Sequence, residues 1–160
     1  MSHRLRPYQQ QCVDAVLEDF KEYGSTLYVC PTGTGKTEIF ANIIKHFLPK
    51  GRVMVLAHRQ ELIGQAVRRI HQICEIAPDI EMGESWAAGD LLAPAPIVVS
   101  SVQTQIASSH GAPRMLRFDP QTFGLLVIDE FHHSTADSYR KIIAHYRQNP
   151  ELKLLGCTAT

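Results

Sequence analysis

A doubly wound α/β domain, with a mainly parallel sheet and helices on both faces, is the fold class this sequence predicts. Three observations lead there. The short apolar runs are continuous in Val, Ile and Leu rather than alternating, as in "RVMVLA" (52–57) and "GLLVID" (124–129). Stretches with helical periodicity separate them. Such strands are buried on both faces, and that calls for parallel pairing under two helical layers. The third observation is a glycine-rich loop that follows one predicted strand and opens a predicted helix.

Each element has a local reason. Pro7 suits a first helical position, and Val13, Val16, Leu17 and Phe20 form one apolar face, so 7–23 reads as a helix that Gly24 can end. "STLYVC" (25–30) is β-rich. The pattern of 35–48 is helical and stops at Pro49. Residues 59–76 place Leu62, Ile63, Ala66, Val67, Ile70 and Ile73 on one side, leaving Arg68 and Arg69 on a solvated one. "MGESWAAGDLLAPAP" (82–96) reads as a surface connection, and the lone Trp86 within it reads as packing over the sheet edge or, less simply, as a stacking surface for a base. "IVVSS" (97–101) and "LKLLGC" (152–157) are further strands, with a helix near 136–147 before the last.

Composition sets bounds. At 160 residues the chain is one domain's worth and large enough to bury a core. Hydrophobic residues make up 44% and charged residues 20%, with no apolar run long enough for a membrane span. The polar, basic start carries no apolar signal region. Cys12, Cys30, Cys74 and Cys157 show no CxxC spacing and read as reduced thiols, so the expectation is an intracellular, cytoplasmic protein. A formal net charge of zero gives no bulk attraction for nucleic acid; local groups must supply any. The sequence stops directly after an apolar strand, which leads us to expect a piece of a longer chain.

"PTGTGKT" (31–37) carries the first chemistry. Gly33 and Gly35 let backbone N–H groups converge on a polyphosphate, and the following helix turns its positive end toward the same anion. Thr32 and Thr34 belong to the same loop, Lys36 offers a charge to the β and γ phosphates, and Thr37 offers a hydroxyl to Mg²⁺. The full GxxxxGK[ST] pattern would have glycine where this chain has Cys30. The second piece is "DEFHH" (129–133) at the end of another strand. In an open parallel sheet both pieces face one crevice beyond the strands' carboxyl ends. Asp129 then serves Mg²⁺, and Glu130 polarises an attacking water. A zinc site built on Asp129, Glu130, His132 and His133 is the minor reading, because near-neighbours in sequence seldom close a tetrahedron and no distant Cys/His set joins them.

With both pieces in place, the chain resembles the first motor lobe of superfamily 2 helicases and translocases of the DExH type, closest to the XPB-like and type III restriction-subunit group. The likeness runs over nearly all the chain. "LRPYQQQ" (5–11) resembles the adenine-recognition element, "VLAHRQELIGQ" (55–65) motif Ia, "SSVQT" (100–104) motif Ib, "DEFH" (129–132) motif II and "TAT" (158–160) motif III. Phe131 stands where relatives often have alanine.

The resemblance implies ATP and Mg²⁺ as ligands, nucleic acid as partner (DNA before RNA), and a second lobe in the parent chain. It assigns Gln9 to adenine, the loop to phosphates, and His58, Arg59, Gln103 and Thr104 to the nucleic-acid backbone. His132, Thr158 and Thr160 couple hydrolysis to movement. It also implies that the strand ending at Cys157 lies between the strands carrying the loop and "DE". Without arginines from a second lobe, typically worth about 10³–10⁵ in rate, hydrolysis is expected to be slow. Plainer readings stand beside these: Gln9 as a helix-surface glutamine, His58 and Arg59 as a solvated turn, and Ser100, Gln103 and Thr104 as helix caps. Another kind of P-loop NTPase, or a non-catalytic nucleotide-dependent binding module, is the alternative function.

Overall fold

The computed structural model describes residues 4–58, 60–88, 94–130 and 136–159. Arg59, His132, His133 and Thr160 lie outside the described residues, as does Phe131.

Six parallel strands form one sheet in the order β1-β8-β7-β2-β4-β3. The strands are β1 (Ser25–Val29), β2 (Arg52–Ala57), β3 (Asp79–Glu81), β4 (Ile97–Ser101), β7 (Phe123–Asp129) and β8 (Lys153–Thr158). A small antiparallel ribbon, β5 (Ser108–Ser109) with β6 (Ala112–Pro113), stands apart. The helices are α1 (Pro7–Glu22), α2 (Lys36–Phe47), α3 (Gln60–Cys74), α4 (Val102–Ile106) and α5 (Ala136–Tyr146). The expected position of the last strand is met: β8 pairs with β1 on one side and β7 on the other.

The continuous apolar strands serve two cores. Val53, Val55 and Ala57 of β2 face one side, with Val99, Val127 and Leu155, under Phe20, Phe40, Ile44 and Ile70 of α1, α2 and α3. Met54 and Leu56 face the other, with Val98, Leu126 and Ile128, under Ile142 and Tyr146 of α5 and the ring of Phe118. Successive side chains on a strand point to opposite faces, so every position of β2 is buried.

Two local expectations change. Helix α1 ends through Tyr23 in an extended conformation, and Gly24 does not take the left-handed geometry of a glycine cap. The connection after β3 is less superficial than its composition predicts. Met82 bridges Ser85, and Ala87 and Ala95 are buried. The reason is Glu81, fully buried, whose one carboxylate oxygen accepts from Ala87 N at 2.7 Å while Arg114 and Arg117 reach the other.

Candidate active site

The site grows from the carboxyl ends of β1 and β7. After Val29 the chain enters the loop, where Gly33 (φ 83°) and Gly35 (φ 87°) both take left-handed conformations that favour glycine. Cys30 stands where the family pattern has glycine, yet its backbone does not take a positive φ, so no glycine is required there. Its buried side chain meets the Thr34 hydroxyl at 2.6 Å.

Gly35 is the N-cap of α2 and Lys36 its first residue. The first N–H groups of that helix have no partner within it and point toward the loop. Tyr28 Oη donates to the Lys36 carbonyl at 2.8 Å and fixes the junction from beneath.

The far end of the site is β7. Asp129 is its last residue and is buried; Glu130 follows with φ 54°, a left-handed conformation unusual for a side-chain-bearing residue. That turn carries the two carboxylates to one cation. Lys36 Nζ lies 2.9 Å from Asp129 Oδ1 and also donates to Glu130 Oε1. Burial by itself pulls the Lys36 ammonium down, but hydrogen bonds and charge from Asp129 and Glu130 outweigh it and hold the group above its ordinary value. On β8, Cys157 Sγ sits 3.6 Å from Asp129 Oδ1; burial first, and the Asp129 charge next, push this thiol well above its usual range.

A cleft of about 310 Å³ joins these parts. Its lining includes Thr32, Gly33, Gly35, Lys36, Thr37, Asp129 and Glu130. Thr34 faces away from it, with its hydroxyl donating to the Pro31 carbonyl at 2.5 Å. Thr158 is buried, and its carbonyl accepts from Cys30 N at 2.9 Å, tying the end of β8 to the loop.

Gln9 is not a surface glutamine: only 2% of it is exposed. Its Oε1 accepts from Arg6 N at 2.9 Å, capping the start of α1, while its Nε2 donates to the Thr34 carbonyl at 3.0 Å. Tyr8 Oη reaches the same carbonyl at 2.5 Å. The element before β1 is thereby fastened to the phosphate loop.

Other residues separate from the cleft. His58 follows β2 and is half-buried, Gln103 is exposed on α4, and Thr104 is buried. Ser101 Oγ caps α4 by accepting from Thr104 N at 3.1 Å, so the cap is Ser101 and not Ser100, Gln103 or Thr104.

One residue was placed on the wrong side by sequence reasoning. Arg69 lines the cleft with Leu62 and Gln65, and pairs with Glu38 of α2. Periodicity puts it opposite the apolar stripe of α3, but the packing of α2 against α3 decides which polar residues flank the loop, and no spacing in sequence reports that. Among the described residues no group of three or more His, Cys, Asp or Glu is gathered to hold a metal. The histidine half of the zinc reading lies outside them.

Residues 2–160 match the family described as type III restriction enzyme, res subunit. The putative mitochondrial ATP-dependent helicase irc3 of Schizosaccharomyces pombe is 34% identical over 98% of this chain and 26% of its own length. The putative ATP-dependent helicase IRC3 of Saccharomyces cerevisiae is 32% identical, over 98% and 23%. The chain thus spans about a quarter of the curated relatives it matches. Among solved structures, the UvsW helicase from bacteriophage T4 superposes with a TM-score of 0.75 at 19% identity, covering 100% of this chain and 55% of that one. A six-stranded parallel sheet with β8 between β1 and β7, a glycine loop and an Asp–Glu pair meeting over one lysine, and a family match across the chain lead to one assignment. The chain belongs to the type III restriction enzyme res-subunit family, as a RecA-like first lobe of the superfamily 2 helicase kind.

Proposed function

We propose that this chain is the ATP-hydrolysing lobe of a nucleic-acid-dependent helicase or translocase. The observation that carries the reading is the convergence of Lys36 with Asp129 and Glu130, which come from β7 and lie more than ninety residues away, at the mouth of a cleft lined by the glycine loop. The roles follow from position. Backbone N–H groups from Thr32 to Thr37 surround the phosphates, and Lys36 exchanges its carboxylate partners for the β and γ phosphate oxygens. Gln9, fastened to the loop beside them, is our candidate for the adenine edge.

The donor set suits Mg²⁺. Thr37 and Asp129 line the same cleft and offer the hard oxygens this ion prefers, with room for water. When bound, the ion offsets charge on the β and γ phosphates. Glu130 accepts a hydrogen bond from the attacking water and orients it for in-line displacement. His132, Thr158 and Thr160 are proposed to pass the change to a second lobe, and His58, Arg59, Gln103 and Thr104 to meet the nucleic-acid backbone.

For the track we propose DNA. The names of similar proteins include both kinds: a DNA helicase Fancm in Drosophila melanogaster and an RNA helicase DHX58 in Mus musculus. We also propose an intracellular setting, which four free cysteines support.

Calorimetric titration of Mg-ADP into the wild type and Lys36→Ala tests the core of this reading. Saturable, Mg²⁺-dependent binding that the mutant loses is the expected result. Binding that survives in Lys36→Ala would overturn it. Turnover stimulated by oligodeoxynucleotides and not by oligoribonucleotides is the outcome expected for a DNA track.

A further inference from the structure

Trp86, the chain's single tryptophan, is 47% exposed although it sits on a rigid foundation. The Arg114 guanidinium lies 3.6 Å from its ring centre and that of Arg117 4.7 Å. Both arginines belong to one 3₁₀ turn (Arg114–Arg117), and both reach a single atom, Glu81 Oε1. Glu81 is fully buried, and its other oxygen accepts from Ala87 N at 2.7 Å. Arg114 also donates to the Gly83 and Ser85 carbonyls, at 2.7 and 3.0 Å, which closes the loop around the ring. This network holds an aromatic surface open to solvent. A tryptophan that only packed over the edge would not need two guanidiniums and a buried carboxylate to keep it half exposed.

The position of the ring matters as much as its support. Strands β2, β4 and β3 are parallel neighbours, so the segments leaving their carboxyl ends lie side by side about 5 Å apart. Those segments hold His58, Ser101 to Gln103, and the loop of Trp86. They are also joined by hydrogen bonds: Ser100 Oγ donates to the Glu81 carbonyl at 2.8 Å, and Gln105 Nε2 donates to Ser100 Oγ at 3.0 Å. Trp86 therefore continues the row of candidate backbone contacts, one strand further from the nucleotide cleft.

We propose that Trp86 is a stacking platform for one unpaired nucleobase of a single strand, with Arg117, whose side chain is 32% exposed, beside it for the adjoining phosphate. Arg114, with a side chain only 7% exposed, is foundation rather than contact. A flat ring backed by guanidinium stacks on any base, so the platform grips without reading sequence. The proposal rests on the nucleic-acid reading above and adds a contact to bases where that reading has contacts to the backbone.

A single tryptophan makes the test direct. Tryptophan emission and the anisotropy of a labelled strand are followed together while the chain is titrated with a short oligothymidylate or with an abasic strand of equal length. Oligothymidylate is expected to quench the emission as it binds, and the abasic strand to bind without quenching. Trp86→Ala should weaken oligothymidylate binding about tenfold, Trp86→Phe should restore most of it, and neither should change abasic binding. Oligothymidylate that binds without quenching, and as tightly to Trp86→Ala, would remove the platform and leave the backbone reading standing. Failure of both strands to bind the wild type at low salt would overturn both.

Discussion

Lys36 Nζ and Asp129 Oδ1 are 2.9 Å apart although 93 positions separate them in sequence, and only 8% of the Asp129 side chain is exposed. The pair joins the phosphate loop to the end of β7. Its two members are proposed to take different partners, phosphate for one and metal for the other, once nucleotide enters. Lys36→Ala should therefore do more than abolish ADP binding. It leaves a buried carboxylate without its cation, which is expected to cost about 1–3 kcal/mol of stability, read as a lower urea midpoint.

Binding and hydrolysis should separate at Glu130. Glu130→Gln keeps the shape of the turn and the contact to Lys36, so ADP affinity should stay close to wild type. Turnover is expected to fall by about 10²–10⁴-fold, since an amide accepts a proton poorly. Single-turnover hydrolysis beside calorimetry distinguishes the two; equal loss of both would contradict the role.

Gly35→Ala meets two obstacles. Its φ of 87° disfavours alanine by about 1–2 kcal/mol, and the new Cβ falls on Gln9 Nε2. The substitution should weaken ADP binding by displacing both loop and glutamine. Adding Gln9→Ala removes the collision, so the double mutant should lose less stability than the sum of the single ones. Thermal unfolding of all four proteins measures the difference.

Glu81→Ala should be among the most damaging single changes outside the cleft. It strands Arg114, only 6% exposed, without its carboxylate. Removing one partner of such a buried pair typically costs about 3–5 kcal/mol. Urea unfolding should show the loss, and Glu81→Gln, whose single carbonyl oxygen can accept from Arg114 or from Ala87 N but not from both, should recover only part of it.

Alkaline pH offers a fourth stability test. Burial raises the Cys74 thiol from 9.0 to about 11. A thiol that holds its proton longer when folded leaves stability unchanged below pH 9, then drains it as pH climbs toward 11, because the unfolded chain ionises first. The total is about 2–3 kcal/mol for a two-unit shift. Lys36, raised above 10.5, adds its own loss only beyond that value. Cys157, whose thiol burial also raises, costs stability over the same range, so Cys74→Ala should lessen the dependence of the urea midpoint between pH 9 and 11 without abolishing it; an unchanged slope would place its origin elsewhere.

The sheet and the nucleotide cleft were legible because each rests on local rules. Strands buried on both faces announce themselves as unbroken apolar runs, and a glycine loop between strand and helix carries its own geometry. The position of β8 between β1 and β7 was available only through the family resemblance, and the structure agrees with it. What escaped was long-range and polar. Arg69 reached the cleft through the packing of α2 on α3, and Gln9 was buried by its hydrogen bond to Thr34. Strand β3, three residues long, has too little apolar sequence to stand out, and nothing in the sequence around Glu81 reports that Arg114 and Arg117 surround it.

The strand order has a consequence for biosynthesis. Among the described residues, strand β1 pairs in the main sheet with β8 alone, and their pairing joins Ser25 to Leu154. Nearly the whole chain must leave the ribosome before the phosphate loop is anchored to its neighbours and before Cys30 can bond to Thr158. Contacts so distant in sequence form late and slowly. A nascent chain halted within α5 would carry every glycine of the loop and both carboxylates, yet lack the strand that holds them together. On the proposed function, nucleotide capture has to wait for β8.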